Sequence, residues 1–403
     1  MSRLPLEGMR VIEIGQIVAG PAAGLILGDM GADVIKIEPP DAGTPSRPGN
    51  QRNGAFFYLN RNKRGIVVDL ASPDGRDILT RLVRRSDVLI ENMAPGTMDR
   101  LGFGYAKVHQ ENPRLVYCSL KGYLKGPYQS RPLMDEPSQM ASGLAYMTGP
   151  PGQPMRVGSS VVDIGAATYA VMGVLAALLE RQTTGEGQHV TGGLFETALF
   201  YVGQHMATAQ MTGVEPAPML ASRSGPNRRG RAIYDLFKCR DGKQVFIGIV
   251  SDAQWHRLCS AFGMEDLAAD PRLKHDTGRG AEREMLMRRI GEAVAQRDST
   301  EVVDTLVRAD VTVAPVHTPL SVLDDPHVAA EGRLLPAQIG EVAGRLPPLP
   351  YESNVYGFSV RHQAPGKPGE HTREVLLELG YRPEEIEAFA RETVIRGPDL
   401  PTA

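Results

Sequence analysis

Cysteine is scarce. Three thiols, Cys118, Cys239 and Cys259, are scattered over 403 residues. That argues against a disulfide framework and a cysteine zinc site, and it fits a reducing cytoplasm. Basic excess is missing too: with a formal net charge of −3 at pH 7, no electropositive field points to nucleic acid. No apolar run reaches the ~20 residues expected of a membrane-spanning helix. The opening MSRLPLEGMRVIEIG lacks the apolar core and cleavage site of a signal peptide. A cytoplasmic protein with no nucleic-acid and no membrane partner is therefore expected. There is no internal repeat of roughly 20–50 residues, no G-x-S-x-G elbow and no P-loop. The nine histidines are dispersed, without metal-ligand spacing.

What the chain does have is one long stretch from Met155 to Leu199. A polar approach with Gly158, Ser159 and Ser160 leads to Asp163, and sixteen residues without charge follow, Ile164 to Leu179. Glu180, Arg181, Gly185 and Gly187 close the pattern. This predicts a buried helix about 24 Å long at ~1.5 Å per residue, with a carboxylate at its mouth. Asp163 has two compatible readings. It is a helix cap, since Asp accepts from orphan backbone N–H groups. It is also a carboxylate nucleophile, because a helix N-terminus favours the ionised form that attacks a carbonyl.

Before this stretch the pattern alternates. Strands are predicted at Met9–Ile14, Asp33–Glu38, within Asn60–Leu70, at Asp87–Glu91 and at Leu115–Leu120, with helices at Ala22–Met30 and Asp74–Arg85. Such βαβ units define a doubly wound α/β fold with a parallel sheet. Gly15-Gln-Ile-Val-Ala-Gly20 lacks the close glycine pair of a dinucleotide site, although Glu38 stands where its acid belongs. Lys121–Pro154 reads as a long loop, with a helix possible over Met134–Leu144. A short strand at Gln188–Thr191 and an apolar helix at Leu194–Met206 follow. The texture then changes: Ala207–Arg231 carries Arg223, Arg228, Arg229 and Arg231. Paired strands at Ile233–Cys239 and Gln244–Val250 and three helical patterns make a second module. The expected organisation is a first large part over 1–206, a linker and arginine-rich loop over 207–231, a small α+β domain over 232–325, and a proline-rich connector with C-terminal helices over 326–403. By default the arginine run is a solvated loop, and His317 and His371 are solvated or capping histidines. The functional reading of the run is a guanidinium clamp for a carboxylate or phosphate.

LEGMRVIEIGQIVAGPAAGLILGDMGADVIKIEPP, NRNKRGIVVDL, ENMAPGTMDRLGFGY, NPRLVYCSLKGY, AALLERQTTGEGQHV, YDLFKCRDG and GEHTREVLLELGY together resemble the class III CoA-transferase family. This family includes formyl-CoA:oxalate and carnitine CoA-transferases and α-methylacyl-CoA racemase. The resemblance implies a Rossmann-like large domain built from both chain ends, a smaller domain between them, and two ring-shaped protomers interlocked as a homodimer. It places the nucleophile on Asp163 and CoA contacts on Val18, Ala19, Val68, Asp69, Leu70, Ala71, Asn92, Met93, Ala94 and Arg100. Met134 and Asp135 fall at the substrate, and Arg228 and Arg229 are the expected clamp and lid for a second carboxylate.

Three departures stand out. Val18 replaces a glutamine of the oxalate-type enzyme, Met134-Asp135 replaces a Tyr-Glu pair, and Pro226–Arg231 replaces a glycine run. They argue against formyl-CoA and oxalate as substrates. Met134 also stands where the racemase branch has its catalytic histidine, which argues against two-base proton exchange. The implied activity moves CoA from an acyl-CoA to a small carboxylic acid, between molecules or within one dicarboxylyl-CoA. It proceeds through an aspartyl anhydride and an aspartyl-CoA thioester, with CoA as substrate and no resident cofactor or metal. The alternatives are a racemase or epimerase of the same family, a nicotinamide-dependent dehydrogenase, and a non-catalytic CoA-ester binding protein.

Overall fold

The computed structural model describes residues 3–40, 54–218, 231–339 and 342–401. The chain divides into two compact units, one of Met1–Ala145, Arg156–Thr208 and Ala330–Ala403, the other of Tyr146–Met155 and Ala209–Ala329.

The first unit is built on parallel strands β1 (Arg10–Ile14), β2 (Asp33–Glu38), β3 (Lys63–Val68), β4 (Val88–Glu91), β5 (Val116–Lys121) and β6 (His189–Gly193). Their order across the sheet is 3-2-1-4-5-6, with the two-residue strand Ile395–Arg396 added antiparallel on β3. This is a doubly wound sheet whose strand order reverses between β1 and β4, the place where such sheets open a crevice at their carboxyl ends. β1 to β4 are buried almost throughout, as expected where helices cover both faces. One face packs on α1 (Ala19–Asp29) and the later long helix. The other packs on α3 (Pro73–Arg84) and on Thr372–Glu378 and Pro383–Arg391 near the C-terminus. Short helices α2 (Gly54–Leu59), α4 (Thr97–Arg100), α5 (Tyr105–Glu111) and α6 (Asp135–Ala141) fill the crossovers, and α7 (Leu144–Thr148) spans the division at Ala145.

α8 (Val161–Thr184) is the long helix, and α9 (Leu194–Thr212) follows β6. α8 is 24 residues long, longer than expected, because the helix runs through the charges at both ends of the uncharged stretch. By length and composition it is apolar enough to cross a membrane, a correction to the sequence expectation. Half of its apolar window is buried. That face combines the small residues Gly165, Ala166, Ala167, Ala170 and Ala177 with Val162, Val171, Val174 and Leu178, and it packs against α1 and the sheet. A Cβ on Gly173 would lie 2.7 Å from Val190 Cγ1, so close approach to β6 requires glycine there. Gly185, at φ 76°, ends the helix in the left-handed conformation glycine adopts without strain.

Buried ion pairs lock this core. The Glu13 carboxylate lies 2.8 Å from Lys36 Nζ and 2.6 Å from Lys63 Nζ, all three side chains buried. Burial pushes the Lys63 ammonium down to about 8. The C-terminal return is anchored on the same unit. Arg64 pairs with Asp33, Glu374 and Glu378. Arg61 donates to Pro347 O, and Asn62 to Ser359 O. His371 accepts from the Gly65 N–H through Nδ1, a structural bridge.

The second unit holds an antiparallel sheet, β7 (Tyr234–Lys238), β8 (Gln244–Gly248) and β9 (Thr312–Pro315). It is covered by α10 (Asp252–Phe262), α11 (Glu265–Ala269), α12 (Asp276–Ala281), α13 (Arg283–Ala295) and α14 (Ser299–Arg308) around fully buried Trp255. β9 was not expected. It is a four-residue edge strand, mostly exposed, and shows no alternation to read.

Candidate active site

Asp163 is the third residue of α8. α8 leads into β6, which pairs parallel with β5. The helix therefore runs against the strand direction and starts at the carboxyl edge of the sheet. α1 starts at the same edge, directly after β1. Asp163 and the Gly15–Pro21 turn thus share the edge where the strand order reverses.

Asp163 does not cap its helix, which corrects one of its two readings. The N-cap is Ser160, with no side-chain cap bond. The cap is supplied instead by Asp135, the first residue of α6, whose Oδ2 accepts from the backbone N–H of Val162 at 2.8 Å and of Asp163 at 3.0 Å. Asp135 is buried and Asp163 partly buried. The Asp163 carboxylate receives no hydrogen bond from any described residue. Burial, together with the Asp135 charge, pushes it up to about 7. The helix terminus favours the ionised form by about 0.3–1 kcal/mol, too little to offset a rise worth about 4 kcal/mol. None of the backbone N–H groups of Gly158, Ser159 and Ser160 donates to a described acceptor.

The turn after β1 is built for close approach. A Cβ on Gly20 would lie 2.8 Å from Gly15 Cα and 2.9 Å from Asn92 Oδ1. Asn92, just past β4, clamps the turn by accepting from Gln16 N–H at 2.8 Å and donating to Gln16 O at 2.9 Å. Val18 is the N-cap of α1 without a cap bond, and Ala19 is buried behind it. Beside this turn a cavity of about 220 Å³ opens at the ends of β1 to β4. Its wall includes Gln16, Glu38, Val68, Asp69, Leu70 and Met93, and Ala71 also lines it. Asp69 folds the post-β3 segment by accepting from the Ala71 N–H at 2.9 Å. Glu91 holds the post-β4 segment through the Met93 N–H at 2.9 Å.

Five of the expected CoA contacts therefore meet on one cavity wall: Val68, Asp69, Leu70, Ala71 and Met93. Asn92 braces the adjoining turn. Ala94 and Arg100 lie exposed just beyond β4, off that wall. Arg100 donates to Thr97 Oγ1 and has no ion-pair partner among the described residues. Met134 is exposed beside buried Asp135. Arg223, Arg228 and Arg229 lie outside the described residues. Sequence reasoning missed Gln139 and Gln16. Gln139 lies four residues beyond Asp135 on α6, a spacing that faces the two side chains toward each other. Glu38 was noticed, though for a different ligand. Among the described residues no group of His, Cys, Asp and Glu is placed to hold a metal ion.

A carboxylate that accepts no hydrogen bond from the described residues thus stands at the edge of a doubly wound α/β sheet where the strand order reverses. Residues 6–372 match the model of CoA-transferase family III. The chain is 33% identical over 371 residues to the acetyl-CoA:oxalate CoA-transferase of Acetobacter aceti, covering 90% of this chain and 92% of that protein. It is 32% identical over 391 residues to the succinate–glutarate CoA-transferase of Agrobacterium fabrum, covering 93% and 96%. The solved structure of a CAIB/BAIF family protein from Brucella suis superposes with a TM-score of 0.83 at 30% identity, over 94% of this chain and 100% of that one. The chain belongs to CoA-transferase family III and is a CoA-transferase, an enzyme that uses acyl-CoA as substrate.

Proposed function

We propose that the enzyme moves CoA from an acyl-CoA to a small dicarboxylic acid through covalent intermediates on Asp163. The observation that carries this reading is the unpartnered Asp163 carboxylate in the first turn of α8. Asp163 attacks the thioester carbonyl, forming an anhydride as CoA thiolate leaves. The thiolate attacks the aspartyl carbonyl, giving an aspartyl-CoA thioester and freeing the donor acid. The acceptor carboxylate then attacks, and the thiolate returns to form the new acyl-CoA. Each step exchanges one activated acyl group for another, which is the advantage of splitting the transfer. The free N–H groups of Gly158 to Ser160 are the proposed donors to the oxyanions, where one lost donor costs ~3 kcal/mol.

The cavity beside the β1 turn suits the nucleotide end of CoA, with Arg100 available to its phosphates. Dicarboxylate substrates are supported by the relative named for succinate and glutarate. Val18, in place of glutamine, still speaks against oxalate. Asp163→Ala and Asp163→Asn should each lose at least a thousandfold in kcat across a panel of acyl-CoAs and small dicarboxylates. Retention within tenfold removes the nucleophile.

The active form is proposed to be an interlocked homodimer in the cytoplasm. In support, α8 and α9 expose a large apolar face that includes Met172 at 59%, Leu179 at 68% and Phe200 at 71%. A face of this kind marks an interaction surface. Mixing tagged and untagged dimers under native conditions should yield no hybrid, whereas co-refolding should. Free exchange contradicts the interlock.

A further inference from the structure

The charged side chain that reaches the nucleophile's own peptide is another acid. Both oxygens of Asp135 are committed: Oδ2 to the N–H groups of Val162 and Asp163, Oδ1 to Gln139 Nε2 at 2.6 Å. Gln139 is fully buried, and its Oε1 accepts from the Val157 N–H at 2.8 Å. A chain of hydrogen bonds therefore runs from the approach loop, through Gln139 and Asp135, into the first turn of α8. The helix needs only an oxygen here, and serine or asparagine caps as well as aspartate. An acid stands there instead. No cation lies within ion-pair distance of Asp135 or Asp163 among the described residues, and the hydroxyl of Tyr201, packed over Gly165, is uncharged at neutral pH.

We propose that Asp135, fixed by Gln139, is a positioning residue that holds its carboxylate beside the nucleophile, so that turning the Asp163 carboxylate into a neutral acyl derivative relieves like-charge repulsion. The proposal rests on Asp163 being the nucleophile. In the first step an Asp163 oxygen lone pair forms the C–O bond of the anhydride, and the C–S electron pair departs with the CoA thiolate. The charge leaves Asp163 for sulfur, away from Asp135. Both covalent intermediates are thereby stabilised relative to the free enzyme. The raised proton affinity of Asp163, caused by burial and then by Asp135, agrees with this arrangement.

The test transposes the charge. In D135N/Q139E, the amide introduced at position 135 still accepts from the α8 N–H groups. It donates to the carboxylate introduced at position 139, which still accepts from the Val157 N–H. Every hydrogen bond survives while the charge moves one side chain away. The Asp163 titration is read by carbon-13 NMR of labelled aspartate, assigned with D163N, and acylation by single-turnover kinetics with succinyl-CoA. The titration should fall by at least one pH unit and the acylation rate at least tenfold, with CoA affinity unchanged. D135S, a neutral cap, must move the titration the same way even if the double variant folds poorly. An unmoved titration in both variants overturns the proposal, whether or not an adduct forms. A wild-type enzyme that forms no adduct overturns the nucleophile reading instead.

Discussion

The backbone N–H of Asp163 donates to the carboxylate of Asp135 at 3.0 Å, so the acid that caps α8 and the acid proposed to react are different residues. This division frees the Asp163 side chain. It also surrounds that side chain with burial and a like charge, which make ionisation costly. Four consequences are measurable.

The first concerns pH. With the carboxyl held near 7, only its ionised form attacks. In the free enzyme kcat/KM should rise about tenfold per pH unit below 7 and level above pH 8. A flat profile from pH 5 to 8 contradicts the assignment.

The second concerns stability, with the opposite sign from a salt-bridged aspartate. At the lowest pH the carboxyl is protonated in both states. As pH rises from about 4, the unfolded carboxyl ionises first, while the folded one keeps its proton until about 7. The folded state binds the extra proton across that window, so the wild type loses stability there, by up to about 4 kcal/mol. Asp163→Asn should therefore melt several degrees above the wild type at pH 8 and close to it at pH 4. A variant less stable than wild type at pH 8 contradicts this.

The Asn92 clamp gives the third. Asn92→Leu strands the N–H and the carbonyl of Gln16, at a cost of about 1–3 kcal/mol, and loosens the turn beside the cavity. KM for acyl-CoA should rise at least fivefold with kcat nearly unchanged. The reverse split would place Asn92 in the chemical step.

The cavity gives the fourth. Leu70→Trp fills the space at the end of β3 and should weaken CoA binding at least tenfold, about 1.4 kcal/mol. Turnover of an acyl-pantetheine, which lacks the nucleotide, should stay within twofold. Equal losses on both substrates contradict the placement of the nucleotide.

Much of the large unit was legible because its strands are short apolar runs between turn residues, and α1 and α8 stop at the glycines Gly31 and Gly185. Asp163 was legible as the single acid at the head of an uncharged run. Its environment was not. Asp135 and Gln139 lie more than twenty residues upstream in a stretch without period, and only the packing of α6 on α8 brings them to the helix terminus. The true length of α8 was hidden by Glu180 and Arg181, because a helix with one half-exposed face continues past charges. Arg181 turns inward to Asp87, 2.9 Å away, a pairing local pattern does not reveal. β9 is too short and too exposed to alternate.

The covalent intermediate tests the account most directly. The enzyme is incubated with succinyl-CoA, quenched within one turnover, digested, and mapped by mass spectrometry. The account predicts an acyl or CoA adduct on the peptide carrying Asp163, absent from Asp163→Asn. Turnover that leaves this peptide unmodified at every time point contradicts it.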